Sequence, residues 1–402
     1  MKLSRTITIL ALASIAASGL AAAAELSDQE QLGKAIFFDE NLSIGGNQSC
    51  ASCHNPAAGW TGATSDTNNT TVVYEGSIEG RFGNRKPPSS AYATTSPIFH
   101  YNKKADLFIG GNFWDGRATG ERLGNPSAEQ AQGPFLNPLE QALGSAADVI
   151  GKICGSSYAT LFQNVCGATA CDADKVSAAY DCVGLSVAAY EGSAESNAFS
   201  SKFDAFLKGK ARLTRSEEQG FGLFMGKGKC NKCHVISFGK KNGPALFTDY
   251  TFDNLGIPRN PANPFYNAAP EYNPDGMDWI DPGLGGFLAS RPDYASLAAA
   301  NLGKHKVPTL RNVDMRPDPA FIKAYGHNGY FKSLKEIVHF YNTRDVLPTC
   351  NPGDPGEKVS CWPAPEVPQN VNTAELGNLG LSDAQEDAIV DFMKTLTDGY
   401  QK

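Results

Sequence analysis

Histidine and methionine are scarce in this sequence, six and five among 402 residues. That excludes a histidine-rich metal array and makes each remaining one worth placing as a possible ligand. Charge is sparse too: Asp, Glu, Lys and Arg make up 19% of the chain, with a formal net charge of −7. No basic stripe tracks a phosphate backbone, which excludes nucleic acid as a partner. Past the N-terminus, no apolar run approaches the ~20 residues a membrane-spanning helix needs, so no span is expected.

The N-terminus orders its residues as Lys2 and Arg5, an apolar run from Ile7 to Ala17, then small residues up to Ala24. This is the layout of a signal peptide, expected over residues 1–24 with cleavage before Glu25 and export to the periplasm. What the chain has in quantity is glycine (41), proline (24) and cysteine (10).

Four of the cysteines stand in two short motifs, Cys50-Ala51-Ser52-Cys53-His54 and Cys230-Asn231-Lys232-Cys233-His234. In each, two thiols at this spacing can add to the two vinyl groups of a haem, and the adjoining histidine then falls under the iron as proximal ligand. A zinc site would need further ligands close by, and a dithiol redox pair has no use for the histidine. Two covalently bound haem c groups are therefore expected. Cys154, Cys166, Cys171, Cys182, Cys350 and Cys361 remain. In an oxidising compartment an even number reads as three disulfides. Cys350 and Cys361 are expected to pair across a Pro- and Gly-rich loop, while the other four admit three connectivities.

The motifs divide the mature chain into residues 25–190 and residues 191–402. Apolar spacing of three and four predicts helices over Gln29–Phe38, Lys175–Tyr190 and Ser382–Leu396. Ser216-Glu217-Glu218-Gln219 predicts a capped helix start leading into Phe221–Met225. Long Gly-, Pro- and Asn-rich stretches such as Pro258–Gly286 suit a chain that wraps a large apolar cofactor. The expected fold is all-α, two tandem cytochrome c-like domains, each wrapping one haem. Lys227, Lys229, Lys232, Lys240 and Lys241 crowd around the second motif and could form a docking patch for an acidic protein.

Further motifs resemble the bacterial di-haem cytochrome c peroxidase and MauG family. They are Phe113-Trp114-Asp115-Gly116-Arg117-Ala118, Gln130-Ala131-Gln132-Gly133-Pro134 and Asn137-Pro138-Leu139-Glu140, then Phe252 to Pro258, Lys306 to Asn312 and His327-Asn328-Gly329. The resemblance implies that the His54 haem takes hydrogen peroxide and that Glu140 and Gln130 form the distal pair. A carboxyl shielded from water can move a proton between the peroxide oxygens, and a carboxamide can hold the ligand without titrating. Trp114 matches the tryptophan between the two haems and would relay electrons.

At the second haem, alignment from His327 brings Tyr341 to the sixth position, as in MauG, where typical peroxidases of the family carry methionine. A phenolate lowers the potential of iron, the opposite of a thioether. Met315, Met225 and His339 are the competing donors. Thr61–Ser90 holds no histidine, so the distal histidine common in the peroxidases is missing. His100 reads as structural, and His305 and His327 as core or propionate-contacting residues. Family members also bind calcium between the haems through an asparagine; Lys86 stands at that position here, which puts calcium in doubt.

The resemblance implies an oxidoreductase that reduces peroxide, forms high-valent iron and oxidises a partner protein over distance. The alternatives are a conventional peroxidase fed by a small redox protein and, third, a non-enzymatic electron carrier, which would not need Gln130 and Glu140.

Overall fold

The computed structural model describes residues 25–236 and 243–401; the expected signal peptide, Lys240 and Lys241 lie outside them. The first helix is Asp28–Phe37. Ser27 caps it by accepting the Glu30 N–H while the Glu30 carboxylate accepts the Ser27 N–H, which satisfies two otherwise unpaired donors at once. Its apolar face, Leu32, Ile36 and Phe37, is buried against the long helix Val176–Gly192. The two backbones come so close that a Cβ on Gly33 would lie 1.8 Å from the Ser186 carbonyl oxygen.

The same crossing recurs in the second half. Helix Arg215–Met225 packs on helix Asp383–Lys394, and a Cβ on Gly220 would lie 1.8 Å from the Ala388 carbonyl oxygen. The helix is capped by Thr214, with Glu217 closing the box, rather than by Ser216, whose hydroxyl donates to Asp391. Ser216 and Gln219 have the same box spacing, but the Ser216 hydroxyl is spent on Asp391 of the packed helix, while Thr214 accepts the Glu217 N–H. Gly220→Ala must push the helices apart, and such overpacking costs about 1–3 kcal/mol. Urea titration of the holo-protein should show the loss; an unchanged midpoint would contradict this packing.

The architecture is mainly helical, with long irregular stretches between helices, but it is not purely α. Two small antiparallel sheets pair His100–Asn102 with Leu107–Ile109 and Phe252–Asp253 with His305–Lys306. These strands are two or three residues long, too short for an alternating pattern to reveal. The stretch Pro258–Gly286 holds 3₁₀ turns at Pro264–Asn267 and Gly276–Asp278, and the helix Gly283–Ala289 starts within it.

One apolar core gathers residues from Leu32 to Tyr190. Two others draw on residues from Phe203 to Leu396. A fourth crosses the molecule, packing Phe99 and Phe108 against Phe252, Leu284 and Leu288. The disulfides are Cys154–Cys171, Cys166–Cys182 and Cys350–Cys361. The first two resolve the open connectivity: Cys154–Cys171 ties the end of helix Ala146–Cys154 to the turn before Val176–Gly192, and Cys166–Cys182 staples helix Ala159–Cys166 onto that helix. Cys50, Cys53, Cys230 and Cys233 stay unpaired. Among the described residues no helix is long and apolar enough to cross a membrane.

Candidate haem sites

Each Cys-x-x-Cys-His motif opens as a single 3₁₀ turn, Cys50–Ser52 and Cys230–Lys232. The histidine N–H then bonds back to the first cysteine's carbonyl, at 2.9 Å in both copies, so thiols and imidazole face one space. His54 Nδ1 lies 3.1 Å from the Trp60 carbonyl oxygen and His234 Nδ1 2.9 Å from that of Phe247. A carbonyl only accepts, so Nδ1 carries the proton and Nε2 keeps its lone pair. Burial lowers both histidines' pKa, that of His54 to about 4. A neutral ring oriented through its other nitrogen is what a metal ligand requires.

Two large cavities meet these motifs. The smaller, about 970 Å³, is lined by Cys50, Cys53, His54, Gln130, Glu140 and Arg117, among others. The larger, about 1660 Å³, takes in Cys230, Cys233, His234 and Tyr341. Free thiols, ready imidazoles and this space fit one covalent haem in each.

Glu140 does not start a helix. Helix Pro126–Leu136 carries Gln130 and ends at Asn137, and Glu140 follows in a tight turn whose N–H bonds to the Asn137 carbonyl at 3.0 Å. The carboxyl and carboxamide thus reach one cavity from a turn and a helix. Burial raises the Glu140 pKa, opposed by the charge of Arg117 and a bond from Asn137. Arg117, which motif reading left without a role, ion-pairs with Asp115 at 2.8 Å and lies over the Phe113 ring.

Trp114 is buried and lines both cavities. Its indole N–H donates to the Lys86 carbonyl at 2.7 Å, and its ring meets that of His327 edge-on, with centroids 6.5 Å apart.

Tyr341 comes from helix Leu334–Thr343. Its phenol is pushed well above its ordinary pKa, by burial first and then by the Cys233 and Cys230 thiols, which places it in their space. Of the competing donors, His339 is held at both nitrogens, by Glu386 at 3.0 Å and by the Val359 carbonyl at 3.1 Å. Met225 is exposed, and neither it nor Met315 lines the cavity. Met393 does, one turn beyond Ile389 on the last described helix; no motif brings this sulfur forward, because only packing carries it there. His100 is exposed, with Nδ1 on the Ile98 carbonyl.

Two buried ammonium groups line the larger cavity, and one of them, Lys86, lines the smaller cavity too. Lys86 Nζ donates to Thr61 Oγ1 at 2.7 Å and to the Pro87 carbonyl at 2.9 Å. Lys323 Nζ donates to the Ala58 and Met315 carbonyls at 2.6 and 2.7 Å. Burial lowers both to about 7, and Lys86 adds its charge to the effect on Lys323. In the lysine-rich patch, Lys227 and Lys229 donate to the Gly380 and Ala374 carbonyls, which anchors two of its charges.

The sequence pattern of the family described as "Di-haem cytochrome c peroxidase" matches residues 27–212. The chain is 34% identical to the methylamine utilization protein MauG of Paracoccus denitrificans, over 96% of this chain and 92% of that protein. It belongs to the di-haem cytochrome c peroxidase and MauG family. As a member it is a peroxidase-type oxidoreductase and binds two c-type haems. The cytochrome c551 peroxidase of Nitrosomonas europaea is 29% identical, over 78% of this chain and 72% of that one. Among solved structures, the di-haem peroxidase BthA of Burkholderia thailandensis superposes with a TM-score of 0.74 at 29% identity, covering 93% of this chain and 87% of BthA. Family membership thus accounts for both motifs, but it leaves open what the oxidising power is spent on.

Proposed function

We propose that this protein works in the MauG manner: peroxide is reduced in the His54 cavity, and the oxidising equivalents are used on an external protein. Bound haem supplies the iron that reduces peroxide and stores the equivalents. Glu140 accepts a proton from one peroxide oxygen and returns it to the departing one, while Gln130 holds the ligand without titrating. Trp114, in the wall common to both cavities, connects them electronically; its indole is held in place by the Lys86 carbonyl.

His54 and His234 would each hold one haem iron, and Tyr341 would be a second protein ligand to the iron held by His234. The placement of Tyr341 in the cavity of Cys230, Cys233 and His234 carries this reading. An anionic oxygen ligand favours the oxidised metal and leaves the peroxide no position there. The two glycine crossings support two tandem cytochrome c-like domains, residues 25–190 and 191–402, and the charged, apolar and small-residue order of residues 1–24 supports export of the mature chain to the periplasm.

The second reading is a conventional peroxidase that detoxifies hydrogen peroxide with electrons from a small redox protein. Met393 in the same cavity and the cytochrome c551 peroxidase relative favour it. An electron carrier is disfavoured, because transfer alone needs no carboxyl and carboxamide around an open cavity. Peroxide added to the oxidised protein together with periplasmic extract from its own host, read by mass spectrometry, separates the two. The MauG reading expects an oxidatively modified protein; fast oxidation of a reduced small cytochrome with no modified protein supports the peroxidase. The Lys227, Lys229 and Lys232 face would dock that partner, so the reaction should slow as salt rises.

Calcium has no place in this reading. Lys86 and Lys323 put two ammonium groups on four oxygens beside the larger cavity, the hard donors a calcium ion would use. Metal analysis of the purified holo-protein should find no stoichiometric calcium, and EGTA should leave the haem spectra unchanged. Tightly held calcium would overturn the substitution.

A further inference from the structure

A chain of oxidisable side chains runs from the wall of the larger cavity to the surface, and neither haem attachment nor peroxide cleavage uses it. Glu366 lines that cavity with its side chain 3% exposed, and one of its oxygens lies 3.8 Å from His327 Nε2. The His327 ring in turn meets Trp114 edge-on. With its other oxygen Glu366 accepts the Tyr266 hydroxyl at 3.4 Å. Tyr266 is buried, and its ring lies against the Trp279 indole, with centroids 5.9 Å apart. Phe265 holds the same indole edge-on at 4.9 Å. Trp279 is partly exposed, and Met277 and Ile280 beside it are exposed, so the chain of rings ends at solvent.

A buried tyrosine passes an electron readily only if its phenolic proton has somewhere to go, because the oxidised ring is a strong acid. Glu366 is that acceptor. Burial raises the Tyr266 pKa, so the proton stays on the phenol until the electron leaves. The Arg259 guanidinium, 3.7 Å from the ring centroid, disfavours a positively charged ring and ties the two departures together. The carboxylates that hold Tyr92, Tyr158 and Tyr330 line neither haem cavity, so those pairs lack this inward link. The loop is also held firmly. The buried Asn273 carboxamide donates to the Phe265 and Gly276 carbonyls at 3.0 and 2.9 Å, which fixes the segment between Tyr266 and Trp279.

We propose that Tyr266 and Trp279 carry oxidising equivalents from the larger cavity to the surface, where an external protein gives up its electrons to Trp279. This path rests on the peroxide reduction proposed above. One electron moves inward from Tyr266 while its proton passes to Glu366. Trp279 then returns an electron to Tyr266, the proton comes back from Glu366, and the external protein re-reduces Trp279. Two such passes deliver the two electrons that, with two protons, convert one peroxide into two waters. With no partner present, Trp279 itself is consumed: it loses two electrons and two protons as one oxygen from water adds to the indole.

The test treats oxidised holo-protein with peroxide in heavy-oxygen water, without air or partner, and maps the label by peptide mass spectrometry. One heavy oxygen at Trp279 is expected; direct attack by peroxide would leave an unlabelled one. Tyr266→Phe keeps the ring but has no phenolic proton to release. It should lose the Trp279 label while both haems stay attached and peroxide is still consumed. Consumption without a label at Trp279, or a label that persists in Tyr266→Phe, overturns the path and leaves the peroxide reaction standing. A parent that consumes no peroxide overturns both. Should Tyr266→Phe fail to fold, freeze-quench electron paramagnetic resonance decides. A tryptophan radical is expected in the parent and not in Trp279→Phe; a signal unchanged by that substitution refutes the path.

Discussion

Replacing Glu140 by Gln is expected to slow peroxide reduction by about 10²–10⁴-fold, the usual contribution of a positioned proton carrier, while both haems remain attached. The substitution keeps size and polarity but removes the only group in that turn able to take up and return a proton. The parent should also show a pH limb that the variant lacks. Burial raises the Glu140 pKa, and accepting a proton from neutral peroxide requires the ionised form. The rate should therefore fall as pH drops through a value above the ordinary carboxylate range. Stopped-flow mixing across pH reads both effects. A variant with the parent's rate and the same pH limb would remove Glu140 from the mechanism.

Tyr341→Met carries the second large effect. Exchanging an anionic oxygen for a thioether favours reduced iron, so the midpoint potential of the second haem should rise by hundreds of millivolts, within the ~0.8 V that axial ligands span. The far-red thioether–iron band should be absent from the parent and appear in the variant. Spectroelectrochemical titration of both proteins measures the shift. A thioether band already present in the parent would point to Met393 instead, and Met393→Leu would then abolish it.

The covalent chemistry was legible because it is local. Cys-x-x-Cys-His needs five adjacent residues, and one 3₁₀ turn brings their side chains together whatever surrounds them. The long helices were legible for a similar reason: the apolar spacing of three and four over Gln29–Phe38, Lys175–Tyr190 and Ser382–Leu396 lies within each segment itself. The strand pairs His100–Asn102 with Leu107–Ile109 and Phe252–Asp253 with His305–Lys306 were not, since two or three residues cannot show a period.

The sequence by itself thus determined two haem attachment points, three disulfides' worth of spare cysteines and the chemical identity of the candidate site residues. Only tertiary structure decided how Cys154, Cys166, Cys171 and Cys182 pair, that Met393 shares the cavity of Tyr341, that Lys323 joins Lys86 at the larger cavity, and that His305 stacks on His327. Those relations join residues far apart in the chain. Their physical cause is close packing in three dimensions, to which no local spacing or propensity gives access.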